Sequence, residues 1–195
     1  MKVITILGSP NVKGNTAKVL GWVEDELKAR KHKIDRVNVI ERNLNFCLAC
    51  YSCQQHPDIP GCAQDDDDAL QIFDRLIESD AIIFATPLYL WNFAAPMKVF
   101  LDRCICLVTG YTSSAHKSLI EGKRTGLLVT CGGPIEDNSE LIRENFRRLE
   151  LFARTIPSGE LIVPFCSTPD AIGEEVKGHA RHFTHQLLGD VEFGK

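Results

Sequence analysis

The chain has 195 residues, of which 44% are hydrophobic and 25% charged, and its formal net charge at pH 7 is -4. This length and composition suit one α/β domain with a sizeable core. The acidic balance argues against a nucleic-acid or anionic-membrane partner. No stretch approaches the roughly 20 apolar residues that span a bilayer, and the N-terminal apolar run is too short for a signal peptide. We therefore expect a cytoplasmic protein that binds neither nucleic acid nor membranes.

The first part of the chain alternates buried strands with amphipathic helices. Lys2–Leu7 is a near-continuous apolar run, which is typical of a strand buried on both faces. The apolar spacing then predicts a helix over Thr16–Arg30, a strand over Lys33–Ile40 and a helix over Ala69–Glu78. The acidic run Asp65–Asp68 fits the N-terminus of that second helix, where carboxylates meet the positive end of the helix dipole.

The same alternation continues to the end of the chain. The predicted elements are a strand over Ala81–Thr86, a helix over Ala95–Leu107, a strand over Arg124–Thr130, a helix over Ser139–Arg154, a strand over Glu160–Phe165 and a helix over Asp170–Leu188. Five strands that alternate with helices predict a doubly wound parallel sheet, for which the common strand order is 2-1-3-4-5. We expect a single domain over residues 1–195, with a cysteine-rich insertion at residues 43–64.

The loop Gly8–Thr16 follows the first strand and leads into the first helix. It offers the hydroxyls of Ser9 and Thr16, the cation of Lys13 and the unpaired N–H groups of a helix start, all of which suit a phosphate. The loop lacks the Gly-Lys-Ser/Thr of a Walker A sequence and the G-x-G-x-x-G of dinucleotide-binding folds. We therefore predict a phosphate site, with a plain helix cap as the alternative.

Two further loops lie at the carboxyl ends of predicted strands. Pro87–Phe93 holds three aromatic residues within five positions, on which a flat ring could stack. Such a loop would equally suit a subunit interface. Cys131 precedes the pair Gly132 and Gly133, which either let a ligand approach the backbone or form a tight turn.

Together these three loops resemble the NADPH-dependent FMN reductase family. The resembling segments are G-S-P-x-x-x-G-N-T, P-L-Y-x-x-x-F with the following A-P-M-K-x-F-L-D-R, and C-G-G, within roughly residues 2 to 165. The resemblance implies a flavodoxin-like fold, bound FMN, NAD(P)H as co-substrate and a homodimer or homotetramer. It implies that the FMN phosphate is held by Ser9, Asn11, Lys13, Gly14, Asn15 and Thr16. It implies that the ribityl chain and ring are lined by Pro87, Leu88, Tyr89, Leu90, Trp91, Asn92 and Phe93, with Cys131, Gly132 and Gly133 beside the ring.

Four of the eight cysteines are concentrated at Cys47, Cys50, Cys53 and Cys62. In a reducing compartment this concentration indicates metal or redox chemistry before disulfides. Successive spacings of three resemble iron–sulfur ligation, whereas structural zinc more often uses two separated C-x2-C pairs. Zinc, free thiols and a disulfide stay as alternatives. We expect Cys104, Cys106 and Cys166 to be core residues.

The cysteine segment also resembles the iron–sulfur flavoproteins, which add a compact cysteine motif and a [4Fe–4S] cluster to this FMN-binding fold. Two hypotheses follow. The leading one is an FMN-dependent oxidoreductase that takes a hydride from NAD(P)H and reduces a flavin, a quinone or a similar acceptor. The alternative is an electron-transfer relay through FMN and the cluster to a redox-protein partner. Because the flavin carries the chemistry, we assign no catalytic side chain.

Overall fold

A computed structural model describes residues 1–168 and 172–191 of the chain. The strands are β1 (Lys2–Leu7), β2 (Lys33–Asn38), β3 (Ala81–Tyr89), β4 (Asn92–Phe93), β5 (Val108–Thr109), β6 (Lys117–Ser118), β7 (Arg124–Thr130) and β8 (Ile156–Val163). The helices are α1 (Asn15–Ala29), α2 (Ala69–Ile77), α3 (Ala95–Arg103), α4 (Glu140–Ala153) and α5 (Glu174–Leu188). Among these described residues, no helix is long and apolar enough to cross a membrane.

The central sheet has the order β2-β1-β3-β7-β8, and its neighbouring strands are parallel. This order is the predicted 2-1-3-4-5 arrangement, so the predicted fold class is confirmed. β4 extends the sheet by pairing antiparallel with the end of β3. Because the three central strands run in one direction, the loops after β1, β3 and β7 meet at one edge of the sheet.

Helices cover both faces of the sheet, and each face has its own hydrophobic core. On one face α1 and α5 pack on the sheet through side chains such as Leu20 and Phe183. On the other face α2, α3 and α4 pack through Phe73, Phe100 and Phe146. The near-continuous apolar character of β1 and β3 follows from this burial on both sides.

Four boundaries differ from the sequence prediction by three residues or more, and the other differences are smaller. β3 continues past Pro87 because its last two residues pair with β4. α3 ends at Arg103 and continues as a 3-10 turn to Leu107. β8 begins at Ile156 rather than Glu160, and its pairing with β7 is irregular near Gly159, whose φ is +143. α5 begins at Glu174, while part of its predicted start, residues 170–171, lies outside the described residues.

Candidate functional site

The loop after β1 is folded tightly on itself. The Ser9 hydroxyl donates to the Asn11 carbonyl at 3.1 Å and accepts from the Asn11 amide at the same distance. The Asn11 side chain accepts from the Lys13 amide at 3.0 Å, and the Gly14 amide donates to the Asn11 carbonyl at 3.2 Å. Ser9 is buried and Lys13 is exposed, so the loop combines a fixed backbone with a cation facing solvent.

The start of α1, where the sequence predicts a phosphate site, has open backbone N–H groups. Within the described residues no side chain caps this helix, and its first turn holds no acidic residue. The first backbone N–H groups of α1 are therefore open to an anion.

Two of the predicted phosphate residues direct their side chains elsewhere. The Asn15 amide donates to the carbonyls of Cys166 and Thr168, each at 2.9 Å. The Thr16 hydroxyl lies 2.7 Å from the hydroxyl of Thr130 at the end of β7, in a buried contact. These bonds fasten the start of α1 to the loops after β7 and β8. The side chains of Asn15 and Thr16 are therefore already hydrogen-bonded within the protein.

Gly8 allows the phosphate loop and α3 to approach each other. A Cβ atom at position 8 would lie 2.3 Å from the Cβ of Met97, which is buried near the start of α3. No side chain fits in that space, since real contacts of this kind exceed 3 Å. The Gly8 amide also donates to the Ala85 carbonyl of β3 at 2.8 Å, which holds the two loops together.

The predicted aromatic loop is a β-hairpin formed by the end of β3 and by β4. Leu88 pairs with Phe93 and Tyr89 with Asn92, so Leu90 and Trp91 form a two-residue turn. Both turn residues have positive φ, 49° and 60°. Primed hairpin turns of this kind favour Asn and Gly, so this sequence is conformationally costly.

The hairpin divides its side chains between solvent and core. Leu90 is 87% exposed and Trp91 54% exposed, whereas Phe93 is only 5% exposed and belongs to the core. Among the predicted ring-lining residues, Phe93 therefore supports the hairpin from below. The exposed residues carry the apolar surface that a flat ring could cover.

The hairpin and the loop after β7 enclose one cavity of about 260 Å³. Its lining residues are Leu88, Leu90, Trp91, Cys131, Gly132, Gly133 and Asn138. The structure thus brings together the aromatic and diglycine loops that the sequence predicted separately. Asn138 was missed by sequence analysis, because a single polar residue before a helix carries no motif. Its amide donates to the Pro134 carbonyl at 2.8 Å and so shapes the loop.

Cys131 is a buried structural thiol at this cavity. Burial raises the pKa of Cys131, so the group is a neutral thiol near pH 7. Its amide donates to the Val163 carbonyl at 2.9 Å, and its carbonyl accepts from the Cys166 amide at 2.8 Å. These bonds join the loops that follow β7 and β8.

The cysteine segment surrounds a second cavity, of about 370 Å³. Cys47, Cys50, Cys53 and Cys62 all line it, with Cys53 buried, Cys62 half-buried and the other two exposed. The described residues include all eight cysteines, and each is a free thiol. Among those residues no three His, Cys, Asp or Glu side chains converge closely enough to hold a single metal ion.

A buried ion pair holds the two ends of the cysteine segment together. Arg103, at the end of α3, pairs with Asp67, and both side chains are almost fully buried. Arg103 also donates to the Asn45 carbonyl at 2.9 Å and to the Cys62 sulfur at 3.4 Å, so it joins the two ends of the segment. Burial alone would raise the pKa of Asp67, but hydrogen bonds from Arg103 and the Asn45 and Ala69 amides outweigh it, and the pKa is lowered.

Within the described residues, the first turn of α2 holds no acidic residue and Asp68 at the N-cap makes no capping hydrogen bond, so the contact with the helix start comes from Asp67. Its Oδ1 accepts from the Ala69 amide at 2.9 Å. Arg103 itself was missed by sequence analysis, although it ends the segment A-P-M-K-x-F-L-D-R that carried the family resemblance. No sequence signal marked Arg103 as buried, because α3 also carries the exposed pair Lys98–Asp102. Only a buried acidic partner makes a buried arginine tolerable.

The cysteine cavity suits an iron–sulfur cluster in its chemistry. Four thiols are the ligand set of such clusters, and Arg103 donates to the Cys62 sulfur at 3.4 Å. The open edge of the sheet suits FMN, because the uncapped start of α1 and the hairpin cavity belong to loops that meet there.

Comparison with known proteins agrees with this geometry. The profile of the NADPH-dependent FMN reductase family matches residues 1–168. The chain belongs to this family. The predicted resemblance to this family is confirmed.

Curated relatives of this reductase-family chain are named iron–sulfur flavoproteins. One from Archaeoglobus fulgidus is 34% identical over 134 residues, which are 68% of this chain and 56% of the relative. One from Methanocaldococcus jannaschii is 27% identical over 159 residues, which are 82% of this chain and 75% of the relative. The chain therefore spans little more than half the length of the first of these relatives.

Solved structures of similar fold include flavoenzymes. An NAD(P)H:quinone oxidoreductase from Methanothermobacter marburgensis superposes with a TM-score of 0.71 at 16% identity, covering 100% of this chain and 99% of the other. A Streptococcus pneumoniae flavodoxin superposes with a TM-score of 0.62 at 16% identity, covering 98% and 100%. At this identity the likeness establishes the flavodoxin-like fold of the reductase-family chain.

Proposed function

We propose that this protein is an iron–sulfur flavoprotein that relays electrons between FMN and a [4Fe–4S] cluster. The observation that carries the proposal is that Cys47, Cys50, Cys53 and Cys62 all line one cavity. The names of the curated relatives support it. The relay is the second of the two hypotheses that the sequence raised, and we favour it here because four cysteines share one cavity.

In this proposal FMN lies at the edge of the sheet where the three loops meet. Its phosphate is bound by Ser9, Asn11, Lys13, Gly14, Asn15 and Thr16, largely through backbone N–H groups at the start of α1. Its ring lies by the hairpin cavity and the glycines Gly132 and Gly133. Bound FMN supplies hydride and single-electron chemistry, which no side chain of this site provides. The protein orients the ring and limits the access of water.

Helix α3 connects the two proposed cofactor sites. It begins directly after the hairpin, contacts the phosphate loop through Met97 and ends at Arg103, which donates to Cys62. Its nine residues are about 14 Å long. One rigid element thus sets the separation between the flavin loops and the cysteine cavity.

Anaerobic purification tests the relay directly. We expect one FMN and about four iron atoms per chain, the content of one cubane cluster. Cys50→Ser should lose the iron and keep the FMN, because Cys50 is exposed and far from the phosphate loop in sequence. Cys104→Ser is the matched control, since Cys104 lines a different cavity. Wild-type protein that takes up FMN but no iron or sulfide would contradict the relay.

A second candidate is the reductase that the sequence favoured first, without a cluster. The exposure of Tyr89, Leu90 and Trp91 beside the ring cavity supports it, because an open face leaves room for a nicotinamide or a small acceptor. Steady oxidation of NADPH or NADH by the iron-free Cys50→Ser protein, with a quinone as acceptor, would favour this reductase over the relay.

We further propose a cytoplasmic homodimer or homotetramer, in which each chain is a single FMN-binding domain with its cysteine-rich insertion at residues 43–64. Exposed Leu141 and Leu151 on α4 support an association through that helix. Light scattering of the purified protein measures the mass of the assembly. A monomer at micromolar concentration would contradict this part of the proposal.

A further inference from the structure

An apolar cavity of about 240 Å³ lies between α4, the end of α3 and the sheet. Its walls are mostly apolar and include the rings of Phe84, Phe146 and Phe152. Thr125, near the start of β7, also lines it, whereas Cys131 of the hairpin cavity follows the end of β7, roughly 20 Å further along the strand direction. This cavity is therefore separate from the proposed flavin site.

A buried carboxyl group forms part of the cavity wall. Glu150 of α4 lines the cavity and is only 7% exposed. The Thr125 hydroxyl donates to its Oε1 at 2.8 Å, and of the residues that the structure describes no other donates to this carboxyl group. A buried carboxylate is costly without a full set of partners, so the Oε2 of Glu150 is the polar group in this wall that a ligand would satisfy.

The cavity wall carries negative charge without positive charge. Asp102, at the end of α3, is its second carboxylate, and none of the described lining residues is Lys, Arg or His. Asp102 is paired with Lys98, which does not line the cavity. Cys104, in the turn after α3, is a neutral thiol because burial raises its pKa. Charge complementarity therefore favours a cationic ligand.

The strand on the other side of Glu150 adds a further carboxylate. Burial raises the pKa of Glu150, and the charge of Glu160 on β8 adds to this rise. Arg143 donates to Glu160 at 2.7 Å and does not line the cavity. Within the described part of the chain, Glu150 thus has a hydroxyl partner and neighbouring carboxylates but no cation of its own.

The volume and the walls define the body of the ligand. A cavity of about 150 Å³ accommodates benzene, so a cavity of 240 Å³ has room for an aromatic ring with a short arm. Aromatic rings pack favourably against phenylalanine side chains, and a cation beside such rings is attracted to their faces. Apolar walls with few polar groups are the usual construction of a small-molecule site.

We propose that this cavity binds a small arylalkylammonium ion, with its ring among Phe84, Phe146 and Phe152 and its ammonium group donating to the Glu150 carboxylate. Glu150 is ionised in this complex, so any proton that it holds beforehand is released to solvent. The site involves neither FMN nor a cluster. It goes beyond the proposed function and is tested independently of it.

Calorimetric titration of the full-length protein with 2-phenylethylammonium chloride at pH 8 tests the site. The matched neutral probe is 2-phenylethanol, which has the same body and a hydroxyl group in place of the charge. We expect saturable binding of the ammonium ion, about 10-fold or more tighter than that of the alcohol, because charge-assisted hydrogen bonds are the stronger ones.

The same titration at pH 5 tests the role of the carboxylate. An alkylammonium ion resembles the lysine side chain, whose pKa is about 10, so the probe is charged at both pH values. Glu150 holds a proton at pH 5, and the affinity for the ammonium ion should be roughly 10-fold or more weaker there than at pH 8. The affinity for the alcohol should change much less.

Three variants locate the probe. Glu150→Gln should bind the ammonium ion no more tightly than the alcohol at pH 8. Glu144→Gln removes a carboxylate of α4 that does not line the cavity, and it should behave as the wild type. Ala153→Leu keeps Glu150 but narrows the cavity, so it should weaken both probes.

The outcomes decide for or against the site. Wild-type protein that shows no saturable binding, or that binds the two probes equally, would overturn the proposal. Ammonium binding that persists in both Glu150→Gln and Ala153→Leu would place the probe elsewhere and overturn it as well. Should Glu150→Gln unfold at pH 8, Ala153→Leu and the comparison of the two pH values still give the answer.

Discussion

Arg103 and Asp67 form a buried ion pair that joins the end of α3 to the cysteine segment. Removal of one partner from such a pair leaves an uncompensated buried charge, at a cost of about 3–5 kcal/mol. We expect Arg103→Met to lower the free energy of unfolding by this amount in a urea titration. The exposed pair Lys98–Asp102 on the same helix is the control, and Lys98→Ala should cost no more than about 0.5 kcal/mol.

The double variant Arg103→Met, Asp67→Leu tests the physical reason. Because it removes both charges, it should be less destabilised than the sum of the two single variants. Additive effects would show that each side chain acts through packing alone rather than through the pair.

Lys13 should contribute to FMN affinity through the phosphate. A hydrogen bond to a charged group contributes roughly 1.5–3 kcal/mol, so Lys13→Ala should weaken FMN about 10- to 150-fold. Lys28→Ala neutralises a lysine at the opposite end of α1 and is the control. Flavin fluorescence titration measures both dissociation constants. Equal dissociation constants for FMN in the two variants would show that the phosphate does not bind near Lys13.

The Leu90–Trp91 turn should lower the stability of the fold and contribute to flavin binding. Positive φ at a residue with a side chain costs on the order of 1–3 kcal/mol, so Leu90→Asn with Trp91→Gly should raise the free energy of unfolding. Loss of the indole should weaken FMN about 2- to 10-fold. Arg154→Gly relieves a positive φ after α4 and should stabilise the protein with no effect on FMN. A double variant that gains stability and binds FMN with wild-type affinity would show that Trp91 does not contribute to the flavin site.

Glu150 makes the stability of the fold depend on pH. Burial raises the pKa of Glu150 to about 7, although the Thr125 hydroxyl donates to its carboxyl group at 2.8 Å. Between pH 4.5 and 7 the folded state holds this proton and the unfolded state has lost it. The contribution of Glu150 to the free energy of unfolding is therefore fully present below pH 4.5. It is lost as the pH rises through 7, by up to about 3 kcal/mol.

Urea titrations at pH 5 and pH 8 measure this loss. Glu150→Gln should remove most of the difference in the free energy of unfolding between pH 5 and pH 8. Glu144→Gln on the same helix should leave it unchanged, because arginine hydrogen bonds lower the pKa of Glu144 to about 2 and keep it charged throughout. A wild-type protein of equal stability at both pH values would show that Glu150 is solvated in the folded state.

The sequence by itself determined the strand order and the family of this protein. The apolar runs at Lys2–Leu7 and Ala81–Thr86 predict strands because burial on both faces is visible in local hydrophobicity. The loop Gly8–Thr16 was recognisable as a candidate phosphate site because its residues are contiguous and precede a helix. The four clustered cysteines were recognisable for the same reason.

Tertiary structure decided which side chains meet across distant parts of the chain. The pairing of Arg103 with Asp67 and the hydrogen bond from the Asn15 side chain to the Cys166 carbonyl depend on packing between elements, which no local pattern encodes. Local periodicity reports only whether a residue is buried. What a buried polar group or thiol faces is set by the neighbouring element, and here that element is the turn and helix that follow the flavin hairpin.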